Sequence, residues 1–173
     1  MDRPQQDALY AKVNTSYGAT IQRLARGYEA DPERRRDLLP KIHIELWRSL
    51  ERFDHRCGLS TWIYRIANNV GASHIMRSRR AAARLVDLEA LDAEPAGSEA
   101  PADCQYSATK ILGLIHRLKP LDRQIILLYL EGEAAGPIAE ATGLSASNVA
   151  TKVHRIKKLL NRQYAAGESH ARK

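Results

Sequence analysis

A chain of 173 residues, 44% apolar and 27% charged, has room for one medium domain or two small ones, each with a modest core. Its longest apolar run, Ile125 to Leu130, falls far short of the roughly 20 residues a membrane span needs. The opening stretch MDRPQQDALY lacks the apolar core of a signal peptide, so a cytoplasmic protein with no membrane insertion is expected.

Two cysteines, Cys57 and Cys104, form no CxxC pair, and the six histidines stand singly, so the sequence calls for no disulfide framework, metal or cofactor. The net charge of +7 is unevenly distributed. Residues 1–84 hold 16 basic against 9 acidic side chains, residues 85–108 hold no basic and 6 acidic, and residues 109–173 hold 11 basic against 5 acidic. Two basic blocks flanking an acidic bridge suit a polyanionic partner.

Apolar residues in both blocks recur at spacings of three and four, without sustained strand alternation, so the fold class is all-α. In the first block the spacing predicts helices near 6–29, 33–53 and 60–80. In the second helix Leu38, Ile42, Leu46 and Leu50 form a core stripe, leaving Asp37, Lys41, Glu45, Trp47 and Arg48 for the surface. Pro40 interrupts that helix unless it lies in a first turn, and Asp37 is placed to cap a helix restarting there. After the loop DHRCGL at 54–59, Trp62, Ile63, Ile66, Ala67 and Val70 make an apolar stripe. Arg65, Asn68, Asn69, His74, Arg77, Arg79 and Arg80 add a polar and increasingly basic surface suited to phosphates.

The bridge, LVDLEALDAEPAGSEAPADCQYSA, is expected to be a flexible linker, with Leu85, Leu88 and Leu91 allowing a short helix at its start. The expected organisation is a helical domain over 1–84, a linker over 85–106, a second helical domain over 107–165 and a tail over 166–173.

In the second block helices are predicted near 107–118, 121–131, 137–142 and 146–164. The short third one stops at Gly143, where a left-handed turn is easiest for a residue without a Cβ. Ser145 is then placed to cap the fourth. Within that helix Val149, Val153, Ile156 and Leu160 share one face, and Ser147, Asn148, Thr151, Lys152, Arg155, Lys158 and Arg162 supply polar groups elsewhere. Short helix, glycine-containing turn and longer basic helix make a helix-turn-helix, whose second member enters the major groove. There is no carboxylate pair, phosphate loop or nucleophile–base arrangement at a recognisable spacing, so an enzyme is not expected.

The residues LKPLDRQIILLYLEG at 118–132 and IAEATGLSASNVATKVHRIKKLL at 138–160 resemble the promoter-binding fourth region of bacterial sigma factors. DLLPKIHIELWRSLERFD and LSTWIYRIANNVGASHIMRSRR resemble the second region, and a chain holding only these two regions resembles an extracytoplasmic-function (ECF) sigma factor of the sigma-70 family. The resemblance implies a dissociable subunit of RNA polymerase that brings the core enzyme to promoters and helps open the duplex.

By similarity, Asp37, Lys41, Glu45, Trp47 and Arg48 would meet the clamp of the largest polymerase subunit, with the second-largest subunit a further partner. His55, Arg56, Trp62, Arg65, Asn68, Asn69, Arg77, Arg79 and Arg80 would serve the promoter element near the start site, with the loop 54–59 accepting a flipped base. Ser147, Asn148, Thr151, Lys152, Arg155 and Lys158 would read the distal element. An anti-sigma factor or activating partner is a further expectation.

Relatives usually carry Gln-Glu where this chain has Pro40-Lys41, an apolar residue near Glu133 and an acid at Pro137, which points to atypical core binding. Pro137 is expected at the first position of its helix. The rival reading is a stand-alone helix-turn-helix regulator binding duplex DNA as a dimer, which leaves the first block unexplained. An all-helical adaptor would need no DNA at all.

Overall fold

A computed structural model describes residues 2–86 and 103–171, without the side chains of Arg79, 81–86, 103–107 and 165–171. The described residues form seven helices: α1 (Arg3–Tyr28), α2 (Pro32–Leu50), α3 (Leu59–Val86), α4 (Asp103–His116), α5 (Pro120–Leu130), α6 (Ala135–Thr142) and α7 (Ala146–Ala171). None of them is long and apolar enough to cross a membrane.

The first three helices pack on one another. Asp2 starts α1 through a capping box, accepting from the Gln5 amide while the Gln5 side chain takes the Asp2 N–H. Asp31 caps α2 by accepting from the Glu33 amide at 2.9 Å, with Pro32 in the first turn. Leu38, Ile42, Leu46 and Leu50 are all fully buried, as their spacing of four predicts.

Pro40 departs from expectation. The helix does not restart at Asp37, because Asp31 caps it six residues earlier and Pro40 lies in the interior of α2. Proline there removes the hydrogen bond to the carbonyl four residues back and costs about 3 kcal/mol. Pro40 is exposed, so water solvates the freed backbone, and the buried stripe on the opposite face holds the helix together on both sides.

Helix α3 lies against Tyr28 at the end of α1. A Cβ on Gly71 would lie 2.5 Å from that ring, so only glycine permits the approach. The Tyr28 hydroxyl donates to Asn68 Oδ1 at 2.7 Å, and Asn68 Nδ2 donates to the Tyr64 carbonyl at 2.7 Å. Burial raises the Tyr28 hydroxyl pKa well above its ordinary value, so it stays a donor.

In the second block α5, α6 and α7 pack mutually, with α4 against α5 and α7. Gly143 takes φ 74°, the left-handed turn expected of it, and Ser145 Oγ accepts from the Asn148 amide at 3.2 Å to start α7. Helix α6 begins at Ala135, which puts Pro137 third rather than first. It is still within the first turn, where the amides lack intrahelical partners in any case.

The two blocks dock directly, α1 and α3 against α4, α5 and α6. Leu127 of α5 sits on Gly27 of α1, where an added Cβ would lie 2.3 Å from Leu127 Cδ2. Arg123, buried beneath this contact, donates to the carbonyls of Tyr28 and His116, and the His116 ring Nε2 lies 2.8 Å from the Arg26 carbonyl. The second block therefore satisfies carbonyls at the C-terminus of α1, which a helix end otherwise leaves unpaired. Arg23 adds a two-pronged contact to Glu131 at 2.6 and 2.8 Å. The buried apolar residues of both blocks form one cluster.

Helix α3 continues to Val86 and α4 begins at Asp103. The rest of the acidic bridge, including Leu88 and Leu91 of the expected short helix, lies outside the described residues.

Candidate nucleic-acid interface

The helix-turn-helix presents its second member outward. Val149 and Ile156 of α7 are buried and Val153 and Leu160 pack partly buried against the core. Ser147, Asn148, Thr151, Arg155 and Lys158 are exposed. Thr151 returns its hydroxyl to the Ser147 carbonyl at 3.0 Å, which fixes its rotamer. Lys152 differs from its neighbours: it is half-buried, with its ammonium 2.8 Å from Asp122 of α5. Arg155 reaches the other oxygen of the same carboxylate at 3.7 Å while remaining 70% exposed. Nothing in the sequence signals this role for Asp122, because an acid in the first turn of a helix reads as a helix-dipole partner.

A second polar surface surrounds the α2–α3 loop. His55 is exposed with φ 61°, a left-handed conformation for which histidine is among the enriched non-glycine residues. Its ring lies 4.4 Å from that of Phe53, which lies 5.5 Å from Trp62, and the Arg65 guanidinium sits 4.7 Å over the Trp62 ring. Trp62 Nε1 donates to Ser49 Oγ at 3.0 Å, which fixes the indole. Arg56 is exposed and folds back onto Asp54 at 3.1 Å. The result is an aromatic ladder at the mouth of the loop, a geometry on which unstacked bases can stack. Phe53 was not among the expected residues, since a lone phenylalanine at a helix end carries no periodic signal.

Along α3, Asn69, Arg77 and Arg80 are exposed, and the Arg79 side chain lies outside the described residues. Asn68 requires a correction: it is fully buried between Tyr28 and Tyr64 and both its amide groups are engaged, so it braces α3 and presents nothing to a nucleic acid. The helical spacing put it beside Asn69, but one hundred degrees of rotation turns it inward. His74 pairs with Glu29 at 2.9 Å, tying α3 to the end of α1.

The exposed face of α2 carries Asp37, Lys41, Glu45 and Arg48. Glu45 and Arg48 pair at 3.1 Å. With Ile44 and Met76, both half-exposed, Lys41 and Arg48 border an open groove of about 770 Å³ between α2 and α3. Trp47 is turned away from it: its Nε1 donates to Asp7 at 2.7 Å, and Gln6 donates to its carbonyl at 2.6 Å. That half-buried indole belongs to the α1–α2 seam, which weakens its expected role as a docking residue.

The family comparisons fit this layout. The model of sigma-70 region 2 matches residues 15–81, and that of sigma-70 region 4 matches residues 108–160. The fold is similar to that of CnrH in its complex with the cytosolic domain of CnrY, with 19% identity over 92% of this chain and 90% of that one and a TM-score of 0.67. It is also similar to the sigma factor RpoE from Bartonella quintana in its complex with the anti-sigma factor NepR, with 18% identity over 90% of this chain and 95% of that one and a TM-score of 0.67. No curated protein sequence matches the chain. With region 2 on α1–α3, region 4 on α4–α7 and the order of the two preserved, the chain belongs to the sigma-70 family as a sigma factor of ECF type, which directs RNA polymerase to promoters.

Proposed function

We propose a division of labour between the two regions. Region 2 docks on core RNA polymerase through the exposed face of α2, with Asp37, Lys41, Glu45 and Arg48. It handles the start-proximal element through the loop and α3, with His55, Arg56, Trp62, Arg65, Asn69, Arg77, Arg79 and Arg80. Region 4 holds the distal element as duplex through Ser147, Asn148, Thr151, Arg155 and Lys158. The chain works by binding rather than as an enzyme, in the cytoplasm where the polymerase acts.

The observation that carries this reading is the aromatic ladder from His55 through Phe53 and Trp62 to Arg65, at the edge of a basic helix. Flipping a base costs a few kcal/mol, and stacking on aromatic faces returns about 1–3 kcal/mol per base. A duplex-only regulator has no use for such a ladder. Arg155 is the exposed guanidinium best placed for a bidentate contact with a guanine edge, worth about 1–3 kcal/mol of discrimination.

CnrH and RpoE are each held by a protein partner, the cytosolic domain of CnrY and the anti-sigma factor NepR. We extend an anti-sigma partner of this kind to the present chain. Holoenzyme footprints on a mapped promoter test the division of labour. Arg155→Ala is expected to erase protection of the distal element, and Trp62→Ala to erase strand opening near the start site, both with core binding intact. Unchanged footprints with both variants would refute the assignment.

A further inference from the structure

Among the described residues, Asp122 is the one carboxylate lining a groove of about 350 Å³ whose rim also carries Arg117, Lys119, Lys152 and Arg155. It stands in the first turn of α5, 15% exposed. Lys152 is 24% exposed and gives its ammonium to Asp122 at 2.8 Å, and Arg155 approaches the second oxygen at 3.7 Å. The pair is not needed to seat α7, since Val149 and Ile156 are buried in the core on the same helix. A partly exposed ion pair adds little to stability by itself.

Its larger effect is on what the surface offers to DNA. A lysine ammonium is a point charge that binds any phosphate without regard to sequence. Asp122 occupies that ammonium and draws the Arg155 side chain toward α5.

We infer that Asp122 is a specificity-determining residue of region 4: it withholds Lys152 from the phosphate backbone and positions Arg155, so that sequence-independent affinity is held down and discrimination falls to the exposed Asn148, Thr151 and Arg155. This rests on the reading of α7 as the duplex-binding helix. Lys152 thereby moves from the expected set of DNA contacts to the residues that shape that set.

The test is fluorescence anisotropy of the full chain on a labelled duplex of random sequence, over a salt series. The wild type is compared with Asp122→Asn, Lys152→Gln, the double variant and Asp122→Glu. Releasing Lys152 adds one phosphate contact. Asp122→Asn is therefore expected to steepen the dependence of log affinity on log salt by about 0.9, a gain that grows about eightfold between 1 M and 0.1 M salt. Lys152→Gln alone is expected to leave the slope unchanged, the double variant to return it to the wild-type value, and Asp122→Glu to keep it there. A purely structural role would lower the melting temperature and weaken binding without steepening the slope, which overturns the inference. So does a shallower slope for Lys152→Gln, which would mean that Lys152 already sits on a phosphate. Loss of all salt-dependent duplex binding by the wild type would instead remove the reading of α7 itself.

Discussion

Gly27→Ala separates docking of the two regions from folding of each. Helix α1 comes closest to region 4 at Gly27, where an alanine Cβ would stand 2.3, 2.7 and 3.1 Å from Cδ2, Cδ1 and Cγ of Leu127. Two of these distances are below any ordinary carbon contact, and Leu127 is itself buried, so it has little room to swing aside. Overpacking of this kind costs about 1–3 kcal/mol. Within α1 alone the same change is favourable by about 1 kcal/mol, because alanine is the better helix former. The variant is therefore expected to stabilise α1 while shifting the docked form toward the undocked by roughly 5- to 150-fold, the range that 1–3 kcal/mol spans. Amide hydrogen exchange reads both effects in one experiment, with faster exchange at the α5 amides and exchange in α1 equal or slower. Unchanged exchange in α5 together with a higher melting temperature would refute the reasoning, since Leu127 would then have made room at no cost to docking.

Docking is also expected to weaken in acid. Burial holds the His116 imidazole below its ordinary pKa of 6.5 in the docked form. The undocked form then binds more protons below that pH, so docking is strongest above it and declines as the pH falls. Exchange in α5 at pH 7.5 and 5.5 checks this, and His116→Gln, which keeps a donor for the Arg26 carbonyl, is expected to flatten the response. Pro40→Gln with Lys41→Glu restores an interior hydrogen bond of α2 and an acid on its exposed face. We expect it to raise stability by about 1–3 kcal/mol in calorimetry and to tighten core binding in titration; unchanged affinity would show that this face is not the docking surface. Phe53→Ala removes the middle rung of the aromatic ladder, so promoter opening, followed by permanganate reactivity of exposed thymines, is expected to fall about tenfold, the equivalent of roughly 1.4 kcal/mol of lost stacking.

The helices were legible because each carries its own period: Leu38, Ile42, Leu46 and Leu50 are buried as their spacing requires. The turn of the helix-turn-helix was legible because Gly143 and Ser145 act locally, through a left-handed backbone and a capping hydroxyl. What the sequence concealed depends on pairs distant along the chain. Arg23 and Glu131 meet across 108 residues, and nothing near either one signals the other. Polarity alone marks Asn68 and Lys152 as contact residues. Their partners Tyr28 and Asp122 come from other helices, and those partners decide where the two side chains point. Pro40 misleads because a proline is a strong local signal, whereas the buried stripe that carries the helix past it is a sum of tertiary contacts.

The most direct measurement is equilibrium binding of the labelled full chain to purified bacterial core RNA polymerase, followed by a footprint of the complex on its promoter. Tight one-to-one binding is expected, with promoter protection that appears only when the polymerase is present. Failure to bind the core enzyme, with a footprint formed by the chain alone, would contradict the account and turn the protein into a stand-alone regulator.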